Sequence, residues 1–239
     1  MLESNKIDKI LFLDIETVPE YPEFNSLPEN FKPLWEKKSK YLIKENETPE
    51  DIYNRAGIYA EFGKIVCISV GFIYFKNSEK HFRIKSYYND DEKIILTDFI
   101  KLMASYNAKN EHVLCAHNGK EFDFPYLCRR ILINDLHIPK ILDLSGKKPW
   151  EISHLDTLEL WKFGDYKHYT SLELLATIFN IPTPKDDIDG SQVGNVYWKD
   201  NDLKRIAKYC EKDVLTIAQL LLKYKGESLI EDANIEIIS

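Results

Sequence analysis

The sequence predicts an α/β fold, a mixed sheet of five strands flanked by helices, and three observations carry that prediction. Apolar residues recur with period 2 in some segments and 3.6 in others, alternating along the chain. An apolar strand near the N-terminus, residues 10–15, is hydrophobic on both faces, as a central covered strand is. Two further strand-like runs, 65–75 and 82–88, are joined through the polar turn "KNSE", which predicts an antiparallel hairpin.

After the first strand, residues 20–57 carry Pro22, Pro28, Pro33 and Pro49 among many charges and read as an excursion over the surface. Within it "TPED" predicts a short helix, with Thr48 as cap, Pro49 in the first turn and Asp51 at the acidic third position. Beyond the hairpin, a helix over 90–105 would bury Ile94, Ile95, Phe99 and Leu102. "HVLCA", 112–116, is a short strand, and Pro125 marks the helix that follows. An extended piece at 151–156 precedes a helix starting at Thr170 or Ser171. The last element, 200–223, has Leu203, Ile206, Cys210, Val214, Ile217 and Leu221 as its core face. Residues 226–239 read as a loosely held tail.

With 239 residues, 44% of them hydrophobic, the chain can bury a sizeable core, and a single domain over 1–239 is expected. "MLESNKIDK" has no apolar h-region, and the longest apolar run, 65–75, falls short of the roughly 20 residues that cross a bilayer. A cytoplasmic protein with no membrane partner is therefore expected. Cys67, Cys115, Cys128 and Cys210 form no C-x-x-C pair and lie in apolar segments, so they read as buried thiols. The net charge of −7 argues against a broad basic face for long duplex, though not against gripping a few nucleotides.

The chemistry is concentrated in acids. "FLDIETVPE" sets Asp14 and Glu16 two apart in an apolar strand, on one face, where paired carboxylates are costly without a cation. "HNGKEFDFPYL" places Asp123 before a helix, where alone it fits an N-cap as well as a ligand. "YCEKD" stacks Tyr209 and Asp213 one helical turn apart; each alone could be a boundary residue in water. The combination is more informative than any member.

In order and type, these segments resemble the three motifs of the DEDD 3′-to-5′ exonucleases, in the subgroup whose third motif is Tyr-x-x-x-Asp. The second motif, with Asn118, Phe122, Asp123, Pro125, Tyr126 and Leu127, is similar to that of the proofreading domain of B-family DNA polymerases and of stand-alone exonucleases related to it. His117 departs from that pattern, which usually has Tyr. The resemblance implies a ribonuclease H-like fold and metal-dependent hydrolysis at the 3′ end of single-stranded nucleic acid, DNA favoured over RNA. It implies two divalent cations, Mg²⁺ or Mn²⁺: Asp14 bridging both, Glu16 and Asp213 completing one site, Asp123 reaching the other. Tyr209 would orient the attacking water. The chemistry of phosphodiester hydrolysis agrees, since clustered oxygen donors suit such ions. Candidate substrate contacts are Thr17, Asn118, Phe122 and Lys185, with "WKFGDYKHY", 161–169, as a mixed aromatic and basic stretch. An exoribonuclease uses the same five residues, and a non-catalytic nucleic-acid-binding module is the alternative from another class.

Overall fold

Strand β1 (Ile10–Pro19) is longer than the apolar run predicts, and all of it is buried except the half-buried Asp14 and Thr17. The computed structural model describes residues 6–107, 111–165, 169–182 and 188–238. Antiparallel to β1 lies β2 (Gly63–Lys76), with Leu11 opposite Phe72, Asp14 opposite Ser69 and Glu16 opposite Cys67; the register shifts between Glu16 and Thr17. β2 turns back into β3 (Glu79–Tyr88) through Asn77 and Ser78, both left-handed at φ 52° and 67°, as a two-residue hairpin of the primed type requires. On the other side of β1, β4 (Val113–Ala116) runs parallel to it, and the two-residue β5 (Leu155–Asp156) pairs in parallel with β4.

Period 2 sorts β1 into two faces. Leu11, Leu13 and Ile15 join a core with α2 (Glu92–Tyr106) and α3 (Asp123–Ile133), through Phe99, Phe124 and Leu127. Ile10 and Phe12 face the long final helix (Leu203–Tyr224), through Val214, Ile217 and Leu221. Asp14 shares parity with Phe12, so the strand aims this acid at the final helix. In α2 the buried apolar residues are Ile95, Leu96, Phe99 and Met103, while Ile94 is exposed. The stripe is thus rotated from the predicted one, with Leu102 half-buried at its margin, and the helix begins two residues later, capped by Asp91.

Three expectations are corrected. The sheet has six strands, in order β5-β4-β1-β2-β3-β6, because β6 (Ile235–Ile238) adds in parallel to β3. The tail is therefore anchored rather than loosely held: Ile230 is buried, and the Gln219 amide exchanges two hydrogen bonds of 2.9 Å with its backbone. The excursion, too, is more than surface chain. It holds helix α1 (Lys32–Ser39) and packs Trp35, fully buried, against Tyr53 and Phe62, with the indole N–H donating to the Pro49 carbonyl at 2.8 Å. At "TPED", Thr48 and Asp51 do exchange side-chain and backbone hydrogen bonds, but the helix that follows is 3-10, Tyr53–Ile58. The chain has to reach β2 at once, and Gly57 lies so close to β1 that an added Cβ would sit 2.9 Å from the Val18 carbonyl carbon.

One fold contact sets a pH dependence. His154 is buried with Nδ1 accepting the Leu114 N–H at 3.2 Å, so Nε2 carries the proton and donates to the Ile141 carbonyl at 2.7 Å. Burial lowers its pKa from 6.5 to about 4. On acidification the unfolded chain takes this proton first, so the stability from the neutral ring is complete above about pH 6.5 and lost as pH falls toward 4. The loss is on the order of 3 kcal/mol. Denaturant unfolding of wild type and His154→Gln across that range should give converging stabilities; parallel profiles would contradict the assignment.

Candidate active site

The final helix, the sheet edge and the start of α3 meet in one cleft of about 840 Å³. Asp14, Glu16, Asn118, Phe122, Asp123, Tyr209 and Asp213 all line it. Three segments far apart in sequence are thus brought together as the motif order predicts. Thr17 is not among the lining residues: alternation puts it on the other side of the strand, where its side chain hydrogen-bonds the Tyr126 phenol. Lys185 lies outside the described residues, as do Tyr166, Lys167 and His168 of the "WKFGDYKHY" stretch. Of that stretch, Trp161 packs against Phe179 and Tyr224, whereas Tyr169 lines the cleft with its ring edge-on to His117 at 6.1 Å.

Asp123 is the first residue of α3 and not its cap, a position that Phe122 takes without a side-chain bond. Its Oδ1 is buried with no hydrogen-bond partner, which a mere capping role would not leave. Burial first, then the carboxylates of Asp156 and Asp213, push its pKa up to about 7 against the backbone N–H groups of Asp123 and Ile15. Asp14 and Glu16 are both held well above the usual carboxylate range, by burial and by the neighbouring acids. The Cys210 thiol donates to Asp14 at Oδ2 and at the backbone carbonyl, each 3.4 Å away. Tyr209 is pushed far above the ordinary phenol range by burial, then by Asp213, with which it shares a side-chain hydrogen bond.

The carboxylates fit a hard divalent cation: ligand atoms of Asp14 and Glu16 lie within 4.8 Å of each other, and Asp123 adds its unpartnered oxygen. The Cys210 sulfur lies within the same distance, but it is a soft donor that burial keeps as the thiol. The cluster is mutually repulsive without positive charge, which is the physical argument for a metal there.

Two residues just behind the cleft lining were not singled out by the sequence as functional. Cys210 looked like ordinary core, and only the packing of the final helix on β1 brings it under Asp14. Asp156 does have a local signal as an N-cap residue: it caps α4 (Thr157–Lys162) by accepting from the N–H groups of Leu158 and Glu159. It also accepts from the backbone of Asn118 and Lys120.

Fold and site together define an α/β protein with an acidic, cation-suited cleft at one end of a mixed sheet. The chain belongs to the family described as predicted 3′-5′ exonuclease related to the exonuclease domain of PolB, whose model matches residues 58–230. That span includes Asp123, Tyr209 and Asp213 and begins after Asp14 and Glu16. Over 90% of its length the chain also shares its fold with the family B DNA polymerase from the hyperthermophilic archaeon Pyrobaculum calidifontis, at TM-score 0.51 and 17% identity. It spans 24% of that polymerase's length, so the likeness is one of fold. The protein is thus an exonuclease by family, with nucleic acid as its substrate class. Among the described residues no helix is long and apolar enough to cross a membrane.

Proposed function

We propose that this chain acts as one exonuclease domain that removes nucleotides from the 3′ end of single-stranded DNA with two divalent cations, Mg²⁺ or Mn²⁺. The observation that carries the reading is that Asp14, Glu16, Asp123, Tyr209 and Asp213, from three distant segments, line one cleft. Asp14, Glu16 and Asp213 would hold one cation, and Asp14 with Asp123 the other. Bound there, the cations supply the charge that acidifies a water and stabilises the leaving 3′ oxygen. Tyr209 remains a neutral phenol near pH 7, so its part is to orient the attacking water by hydrogen bonding, not to remove its proton. Asn118 and Phe122 border the same cleft and contact the terminal nucleotide by hydrogen bond and by stacking. The DNA preference rests on the likeness to the polymerase proofreading domain.

The test is digestion of 5′-labelled single strands of DNA and of RNA, in parallel, with Mg²⁺ or Mn²⁺. A ladder from the 3′ end on DNA is expected; faster digestion of RNA would transfer the reading to an exoribonuclease, and no ladder on either would end it. A linked prediction needs no substrate. Cations relieve the repulsion among the acids, so Mn²⁺ at about 100 times its Kd should stabilise the fold by roughly 2.7 kcal/mol. Thermal melts with Mn²⁺ and with chelator check this, and an unchanged midpoint at saturating Mn²⁺ would speak against the cluster as a metal site.

A further inference from the structure

We propose that Asp156 is the positioning residue of this active site: its carboxylate holds the 117–120 loop in the shape from which Asn118 and Asp123 are presented. The inference rests on the exonuclease reading for its catalytic consequence, and on hydrogen-bond geometry for the rest. Asp156 is 2% exposed, and both its oxygens are committed. Oδ1 accepts from the backbone N–H groups of Asn118 at 3.0 Å, Leu158 at 2.9 Å and Glu159 at 3.2 Å; Oδ2 accepts from that of Lys120 at 3.0 Å. Two of these donors belong to α4 and two to the loop, so one carboxylate joins them.

The loop is tightly shaped. Asn118 sits in the left-handed region at φ 61°, which asparagine tolerates better than most non-glycine residues. Gly119 presses on β4 so closely that an added Cβ would lie 2.4 Å from the Ala116 Cβ. Two further ties run between the same segments. His117 Nδ1 pairs with the Thr157 hydroxyl at 2.9 Å, and the Lys120 ammonium donates to Glu159 at 2.7 Å. The helix that carries Asp123 hangs from the loop in turn, because the Phe122 N–H donates to the Asn118 carbonyl at 3.0 Å and the Phe124 N–H to that of Gly119 at 2.9 Å. Asp156 does not line the cleft itself; it acts through Asn118 and the first turn of α3.

The test is Asp156→Asn, in which one acceptor oxygen becomes an amide nitrogen facing a backbone N–H. Measured at a temperature where circular dichroism shows the variant folded, kcat on single-stranded DNA should fall about tenfold to a hundredfold. A variant destabilised elsewhere, Trp35→Leu in the cluster with Tyr53 and Phe62, should keep its kcat per folded molecule. Amide hydrogen exchange supplies a readout independent of catalysis: the N–H groups of Asn118 and Lys120 should lose protection while those of β1 keep theirs. If wild type digests DNA and Asp156→Asn matches it per folded molecule, the positioning role is overturned while the exonuclease reading stands. If wild type digests nothing, that reading fails, and exchange decides this one: unchanged protection at Asn118 and Lys120 overturns it. Should Asp156→Asn not fold, Thr157→Val removes a neighbouring tie without a charge change. A kcat drop of about threefold is then expected, and wild-type kcat would overturn the proposal.

Discussion

Replacing Asp14 by Ala should abolish 3′-end digestion, lowering kcat by about a thousandfold or more, equivalent to at least ~4 kcal/mol of transition-state stabilisation. The expectation follows from position. Asp14 is one of the two acids that β1 aims at the final helix; Asp123 and Asp213 both act on its carboxyl, and the proposed mechanism gives it to both cations. Loss of folding is the competing explanation for an inactive variant, and the same electrostatics predict against it. Burial and neighbouring acids hold Asp14 well above the usual carboxylate range, so near pH 7 its charge costs the metal-free fold stability. Its removal should leave the melting midpoint in chelator at or above that of wild type, and should shrink the further rise produced by Mn²⁺. The decisive comparison is therefore double: digestion rate with Mn²⁺, and melting midpoint with and without it. Wild-type digestion by Asp14→Ala would remove the metal-centred mechanism, and a large fall in the chelator midpoint would show that the acid serves the fold.

The contrast between Asp14 and Asp156 explains how far the site could be read from sequence. Asp14 and Glu16 were legible because an apolar central strand makes two same-face acids anomalous, and Tyr209 with Asp213 because helical spacing alone puts them on one side. Asp156 was visible only as a helix cap. That its carboxylate also takes two N–H groups from a loop some 36 to 38 residues away is set by the parallel pairing of β4 and β5, which no local pattern encodes. Thr17 was legible by the same alternation, since its odd position puts it with Ile15 on the face away from the acids. Trp35 and β6 illustrate a different obstacle. Prolines and charges around Trp35, and acids around "IEII", give local signals for loop and tail, while the burial comes from distant aromatic partners and from the open edge of β3. The sixth strand is thus an outcome of tertiary pairing over a weak local preference.

Substituting Arg130 by Met should produce the largest stability loss of any single change outside the cleft, about 3–5 kcal/mol. Arg130 and Glu92 are both nearly fully buried, and their bond is bidentate, with Nε to Oε1 at 2.9 Å and Nη2 to Oε2 at 2.6 Å. The guanidinium also donates to the Ala60 carbonyl and to Glu20, each at 2.9 Å. Glu92 in turn accepts from the Ile65 N–H at 2.7 Å and from Asn134 at 2.8 Å. Removing the cation strands Glu92 among groups that cannot leave it, and the penalty is that of a buried, unpaired charge more than of a lost contact. Glu92→Gln with Arg130→Met should therefore cost less than the two single changes added together, by roughly 0.5–3 kcal/mol of coupling. A functional corollary separates this network from the loop held by Asp156. Arg130 lies two turns along α3 from Asp123, on the part of the helix that binds α2 and the entry to β2. Its loss should lower the melting midpoint by about 10 °C and leave kcat per folded molecule, measured well below the transition, within a few-fold of wild type. Denaturant curves for the two single variants and the double settle the energetic claim, and strict additivity would show that Glu92 does not depend on Arg130. A collapse of kcat in fully folded Arg130→Met would instead place this ion pair in the same positioning system as Asp156.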